Sequence, residues 1–254
     1  MKNSITKELR RITKKTIILM FWVLVWELCS LFINKPLLLP SPVEVAKVLI
    51  VLIGKIYFWK SVFNSVTRVI LGLFLSIGVG IFIGIAAGLN RFIEELLEPL
   101  MVVIKATPVM SIIILALVWF KSSSVVIFTT ILICFPIIYT NVLQGIKAVD
   151  KHLIQMANIY KVKNKYIIKD IYLPCIKHYI VSGVLMCLGL GWKVSVASEI
   201  LSTPRYSIGL NLLNAKSTLE TAELFAWTIV VVLLSFIFEL IFKYYIKNRN
   251  ASLN

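Results

Sequence analysis

The sequence predicts an all-α polytopic membrane protein of six transmembrane helices, with both termini cytoplasmic. Three observations point there. Of the 254 residues 59% are hydrophobic and 15% charged, with a mean hydropathy of +0.91; a soluble domain is about 45–50% apolar and about 25% charged. Six segments approach the run of about 20 apolar residues needed to cross about 30 Å of hydrocarbon. Lysine and arginine are distributed unevenly between the connections, as the positive-inside rule requires. Such a composition excludes a soluble enzyme, a DNA-binding domain and a disordered chain.

The elements follow in order. Residues 1–16 form a basic segment with six of the 27 Lys and Arg. The spans are predicted at about 17–33, 69–89, 99–120, 125–146, 179–198 and 224–242, within a membrane domain of 17–246 and followed by a tail, 247–254. The first span is no cleaved signal peptide, because it runs on through bulky Trp26, Glu27 and Leu28 without a small-residue cleavage site. With the N-terminus inside, the inner segments carry 17 Lys and Arg: six in 1–16, Arg91, seven in 147–178 and three in 243–254. The outer segments carry seven, and Arg68, Lys105 and Lys193 fall in or at the edge of spans. Trp59, Trp119 and Trp227 lie near outer ends, and Tyr179, Tyr244 and Tyr245 near inner ends, as an aromatic belt would place them. The net charge of +15 is thereby explained by topology rather than by nucleic acid. Cys29, Cys134, Cys175 and Cys187 have no paired spacing and read as small buried hydrophobes, not as a disulfide frame or a metal site.

Within the spans, Gly72, Ser76, Gly80, Gly84 and Gly88 recur at every fourth position, a stripe that lets another backbone approach closely. Such a stripe serves a pathway, a subunit interface or ordinary bundle packing. Pro108 and Pro136 each delete a backbone donor inside a span and are expected to kink it; broken helices line transport pathways. Lys105 puts a charge beside the first break. Lys193 and Glu199, six apart on the fifth span, fall on opposed helix faces and are not expected to pair with each other. Both are pathway candidates, with snorkelling to the interface as the alternative.

The long inner connection, 147–178, has its own order. Leu153, Ile154, Ala157 and Tyr160 recur at helical spacing, while Lys161, Lys163, Lys165 and Lys169 supply a charged face. This predicts a short amphipathic helix, held by anionic lipid or serving to dock a cytoplasmic partner. Gln155-Met156-Ala157, then Lys161, then Ile171-x-Leu173-Pro174 has the spacing of the EAA loop of ABC importer permeases: Glu-Ala-Ala, three residues, Gly, nine residues, Ile-x-Leu-Pro. Gln155 replaces the Glu and Lys161 the Gly. Further stretches resemble the nitrate/sulfonate/taurine branch: Leu39-Pro40-Ser41-Pro42-x-Glu44-Val45, Asn64-Ser65-x-x-Arg68-Val69, Gly84 to Arg91, Glu98-Pro99-Leu100, Gly145-Ile146-x-x-Val149-Asp150, Trp192 and Ala197-Ser198-Glu199. The resemblance covers about residues 38–242.

The resemblance implies a type I ABC importer permease fold in a bacterial plasma membrane and a homodimer. It also implies an ATPase subunit docked on each EAA loop, through Leu153, Ile154, Gln155, Ala157, Tyr160, Lys161, Ile171, Leu173 and Pro174. An extracellular solute-binding protein would dock on the outer connections, 34–60 and 203–221. No Gly-x-x-x-x-Gly-Lys-Ser/Thr occurs, so this chain is expected to bind no cofactor, with ATP and Mg on the partner. A Lys at the Gly position is expected to disturb the turn after the first short helix, because Gly tolerates left-handed backbone that Lys dislikes. The alternative function is an ion-gradient-driven secondary transporter, which calls for intramembrane carboxylates at mid-depth. A membrane enzyme is the other rival, but His152 and His178 lie in or beside the inner connection without a His-Glu-x-x-His. The substrate class suggested by Lys105, Lys193 and Arg68 is an anion, with small heterocycles carried by similar permeases.

Overall fold

The computed structural model describes the backbone of residues 2–251 and the side chains of residues 13–248 other than Lys15 and Asn164. The side chains of the basic N-terminal segment and of the tail therefore fall largely outside the described residues. Every regular element among the described residues is helical: α1 (Lys2–Ile33), α2 (Pro42–Ile53), α3 (Ile56–Leu89), α4 (Arg91–Ala106), α5 (Val109–Trp119), α6 (Ser122–Lys147), α7 (Lys151–Ile159), α8 (Asn164–Tyr166), a π-helical turn (Ile167–Tyr172), α9 (Leu173–Ser202), α10 (Ile208–Ser217) and α11 (Thr221–Ala251). Among the described residues five helices are long and apolar enough to cross a membrane, and α4 and α5 pass the same test only as a pair. The chain divides into two compact units, Met1–Trp59 with Asn211–Val230 and Lys60–Leu210 with Val231–Asn254.

In the first unit, the Leu-Pro-Ser-Pro-x-Glu stretch acquires a physical reason. Ser41 caps α2, Pro42 opens it, and Glu44 completes a capping box: the Glu44 amide donates to Ser41 Oγ (3.2 Å) and the Ser41 amide to Glu44 Oε2 (3.1 Å). Trp26 of α1 donates to the Pro40 carbonyl (3.1 Å) and stacks on Phe225, while Thr221 Oγ1 donates to the Leu37 carbonyl (2.7 Å). Fully buried Trp227 stacks on Phe58 with ring centroids 5.0 Å apart. Among the described residues, no residue in the spanning part of α1 is fully buried.

The second unit is built on α6, the most deeply buried span. The small-residue stripe of α3 lies against it in parallel register. A Cβ at Gly72, Gly80, Gly84 or Gly88 would meet Thr130, Ile138, Val142 or Ile146 at 2.6–2.8 Å, always 58 positions ahead. Ser76 fills the remaining place, donating to the Gly72 carbonyl (2.7 Å). Bundle packing within the chain thus accounts for the stripe. α9 runs antiparallel to α6, with Thr130 and Ser195 hydroxyls 2.7 Å apart, Thr129 and Ser198 2.9 Å apart, and Gly183 against Asn141. Val69 and Leu73 of α3, Cys134 and Ile138 of α6, and Cys187 and Trp192 of α9 meet in the core. Cys134 and Cys187 are buried free thiols, as expected, but Cys29 and Cys175 are exposed, contrary to the expectation of burial, because they sit on helix faces that nothing in the described structure covers.

The helix of the third predicted span needs correction. Residues 99–120 are not one continuous kinked helix. The chain breaks at Thr107-Pro108, and α4 and α5 meet at 102°. Thr107, pushed out of helical geometry by the following proline, sits at φ −72°, ψ 128°, and Pro108 becomes the residue before α5. Pro136, by contrast, does not interrupt α6, which is continuous from Ser122 to Lys147. The helix that holds the fifth predicted span, α9, begins at Leu173 directly from the π turn.

Candidate functional site: the loop between α6 and α9

Asp150 caps α7 by accepting the His152 amide (2.8 Å). The helix divides the apolar set that its spacing groups together. Ala157 is buried and Ile154 half-buried, whereas Leu153, Met156, Ile159 and Tyr160 are exposed, the last two by 77% and 76%. The inward residues anchor the helix; the outward ones form an apolar face that is exposed among the described residues.

The turn after α7 keeps the form a glycine would give it. The Val162 amide donates to the Ala157 carbonyl and the Lys161 amide to that of Asn158, each at 3.0 Å, which is a Schellman closure. Its left-handed position is Lys161, at φ +54°. The turn expected to be disturbed is therefore retained, and the lysine backbone carries the strain. Beyond it, Ile167 is buried, Ile171 half-buried, and Leu173 and Pro174 exposed. Pro174 has no N–H and stands in the first turn of α9, with the π turn ahead of it. The Leu173 amide there reaches the Ile168 carbonyl. Because the π turn passes into α9 without a break, the loop has a helical connection into a membrane span. A cleft of about 530 Å³, lined by Gly88, Lys147, Lys151, Ile154, Gln155 and Tyr172, places Gln155 beside the C-terminal ends of α3 and α6. An ion pair between Lys147 and Glu94 ties α6 to α4 next to it.

The pathway candidates are dispersed. Lys105, at the end of α4, donates to Thr140 Oγ1 of α6 (2.8 Å) and is exposed beside the break at Pro108. Lys193 is exposed on α9, and Pro136 is buried. Glu199 does not snorkel: it is 1% exposed and paired with Arg68 of α3 at 3.0 Å. Ser65 donates to both carboxylate oxygens (2.7 and 2.8 Å), and the Gly209 amide donates to one of them (3.1 Å). Ser65 and Arg68 belong to one sequence motif and Glu199 to another, and no spacing joins them. The available signal was topological, since opposite charges at the ends of spans two and five fall on the same side of the membrane.

Residues 76–250 match the family described as binding-protein-dependent transport system inner membrane components. The chain belongs to this family. It is 27% identical over 224 residues to the taurine transport system permease protein TauC of Escherichia coli K12, covering 85% of this chain and 80% of TauC. SsuC of the same strain, named for aliphatic sulfonate transport, is 32% identical over 202 residues, 78% of this chain and 76% of SsuC. The bicarbonate transport system permease protein CmpB of Synechococcus elongatus is 28% identical over 160 residues, 62% of this chain and 57% of CmpB. A solved structure titled as an amino acid ABC transporter with histidines superposes with a TM-score of 0.60 at 14% identity, over 77% of this chain and 93% of that one. That likeness carries the fold. The permease family therefore supplies the setting of the site: a multi-pass inner-membrane component of the nitrate, sulfonate and taurine branch of ABC transport systems.

Proposed function

We propose that this chain forms the translocation pathway of an ATP-driven importer for a small anion, of the sulfonate, taurine or bicarbonate kind, and that the loop 147–178 couples it to a separate ATPase. The observation that carries the reading is the exposed apolar face of α7, Leu153, Met156, Ile159 and Tyr160, mounted on a helical connection that continues into α9. An exposed patch of this kind marks a partner surface. A partner gripping it moves a span directly, because packed helices transmit rigid-body displacement. In this reading both termini are cytoplasmic, and the ATP and its Mg are held by the ATPase. A second copy of the chain completes the pathway, and a solute-binding protein docks on the outer connections. Lys105, at the broken α4–α5 junction, supplies positive charge toward the anion, with Lys193 a second candidate. The buried Ala157 is a support of the loop rather than a contact.

The test is a double substitution of the outward residues, Leu153→Asp with Tyr160→Asp, in the full chain co-expressed with its ATPase and binding protein. The expected result is loss of ATPase co-purification and of taurine uptake while membrane insertion is kept. Normal co-purification would refute the assigned surface, and solute flux without nucleotide hydrolysis would refute the importer reading.

A further inference from the structure

The cluster around Glu199 is used by neither the coupling face nor the substrate path, yet its buried carboxylate accepts from Ser65, Arg68 and the Gly209 amide. We propose that Arg68 and Glu199 are positioning residues that lock the turn 203–207 and the first turn of α10 onto α3, so that the outer ends of α3 and α9 move as one body during transport. The lock stands on this chain's own geometry; its use in transport rests on the permease reading.

The bonds come from both directions. Arg68 donates to Glu199 (3.0 Å), to the Arg205 carbonyl (3.2 Å), and at 3.5 Å to the Tyr206 carbonyl and to Ser123 Oγ at the start of α6. Ser65 donates to the Glu199 carboxylate and accepts the Ile208 amide (3.0 Å), while Glu199 accepts that of Gly209. Glu199 and Ser65 thus satisfy two amides that the start of α10 leaves without helical partners. The turn they hold is costly by itself. Thr203 and Tyr206 both adopt left-handed backbone, at φ +45° and +52°, a conformation that persists in ordinary residues only when the surroundings impose it. Space is equally restricted: a Cβ on Gly209 would lie 2.4 Å from the Cβ of Glu199. Pro204 and Ser207 are buried beneath the turn. Removal of either charge would strand its partner in a site where ions are stable only when paired.

The experiment uses the full chain in membranes, with Cys29→Ser and Cys175→Ser removing exposed thiols and Ser207→Cys as a reporter at a fully buried position. A membrane-impermeant maleimide should label this parent slowly. With Arg68→Ala or Glu199→Gln added, labelling should accelerate about tenfold or more, as local opening becomes easier, and radiolabelled taurine uptake should be lost. Should a charge variant fail to accumulate, Ser65→Ala decides by the same labelling, since it removes the shared hydroxyl without stranding a charge. Unchanged labelling in the inserted variants overturns the lock, and faster labelling with parental uptake overturns its use in transport. An unsubstituted chain that shows no ATP-driven uptake indicts the permease reading instead, while the labelling comparison still reports on the lock.

Discussion

Alanine placed at Gly80 and, separately, at Gly78 should change stability in opposite directions, although the two positions are two residues apart on α3. A methyl at Gly80 would lie 2.7 Å from Cβ and Cγ2 of Ile138 and 3.3 Å from the Phe135 carbonyl oxygen. Carbon–carbon contact is optimal at about 3.5–4.0 Å, so α3 and α6 must part by roughly 1 Å, or Ile138 must leave its place. Ile138 is fully buried and the Phe135 oxygen is backbone, so neither yields easily. Overpacking of this kind costs about 1–3 kcal/mol. Gly78 has nothing within 4 Å of its added Cβ, and alanine there should stabilise the helix by about 0.5–1 kcal/mol. The assay is equilibrium unfolding of the purified full chain in mixed micelles with increasing denaturing detergent, comparing midpoints of the parent and both variants. Equal shifts for the two alanines would refute the claim that the stripe is a contact seam within this chain.

Other outcomes follow from the same geometry. Lys161→Gly should slow hydrogen exchange of the position-161 and Val162 amides, because relief of about 1–2 kcal/mol of left-handed strain exceeds the entropy glycine adds to the unfolded chain; Lys161→Ala should give no such gain. Trp227→Ala, emptying a fully buried site against Phe58, should cost about 3–5 kcal/mol in the unfolding assay, and truncation of exposed Trp59 much less. A double-mutant cycle on Lys147 and Glu94, whose side chains are 54% and 24% exposed, should return less than about 1 kcal/mol. Lys105→Gln should weaken transport of an anionic solute while leaving the unfolding midpoint close to the parent; unchanged affinity would remove Lys105 from the pathway.

The spans were legible because hydropathy is a property of consecutive residues, and bilayer thickness sets the length that counts. Local signals at helix starts were equally plain, as Ser41, Pro42 and Glu44 show, since a cap involves residues three apart. The four-residue period of the stripe announced close packing but not its partner. Leu153 and Ala157 share a helical spacing, yet one is exposed and the other buried, and only the path of the chain around α7 separates them. Pro108 marked a break, while the 102° angle between α4 and α5 is legible only in the structure.

What the sequence determined by itself was therefore one-dimensional: which segments are apolar enough for lipid, where helices start, and which spacings match the permease family. The tertiary structure decided the pairings. Arg68 and Glu199 stand 131 positions apart, and no periodicity links residues on two helices whose mutual rotation and depth are set by packing. The same holds for Gly80 and Ile138, because the register of one helix on another emerges only when both surfaces meet, and close-packed interiors admit few such fits.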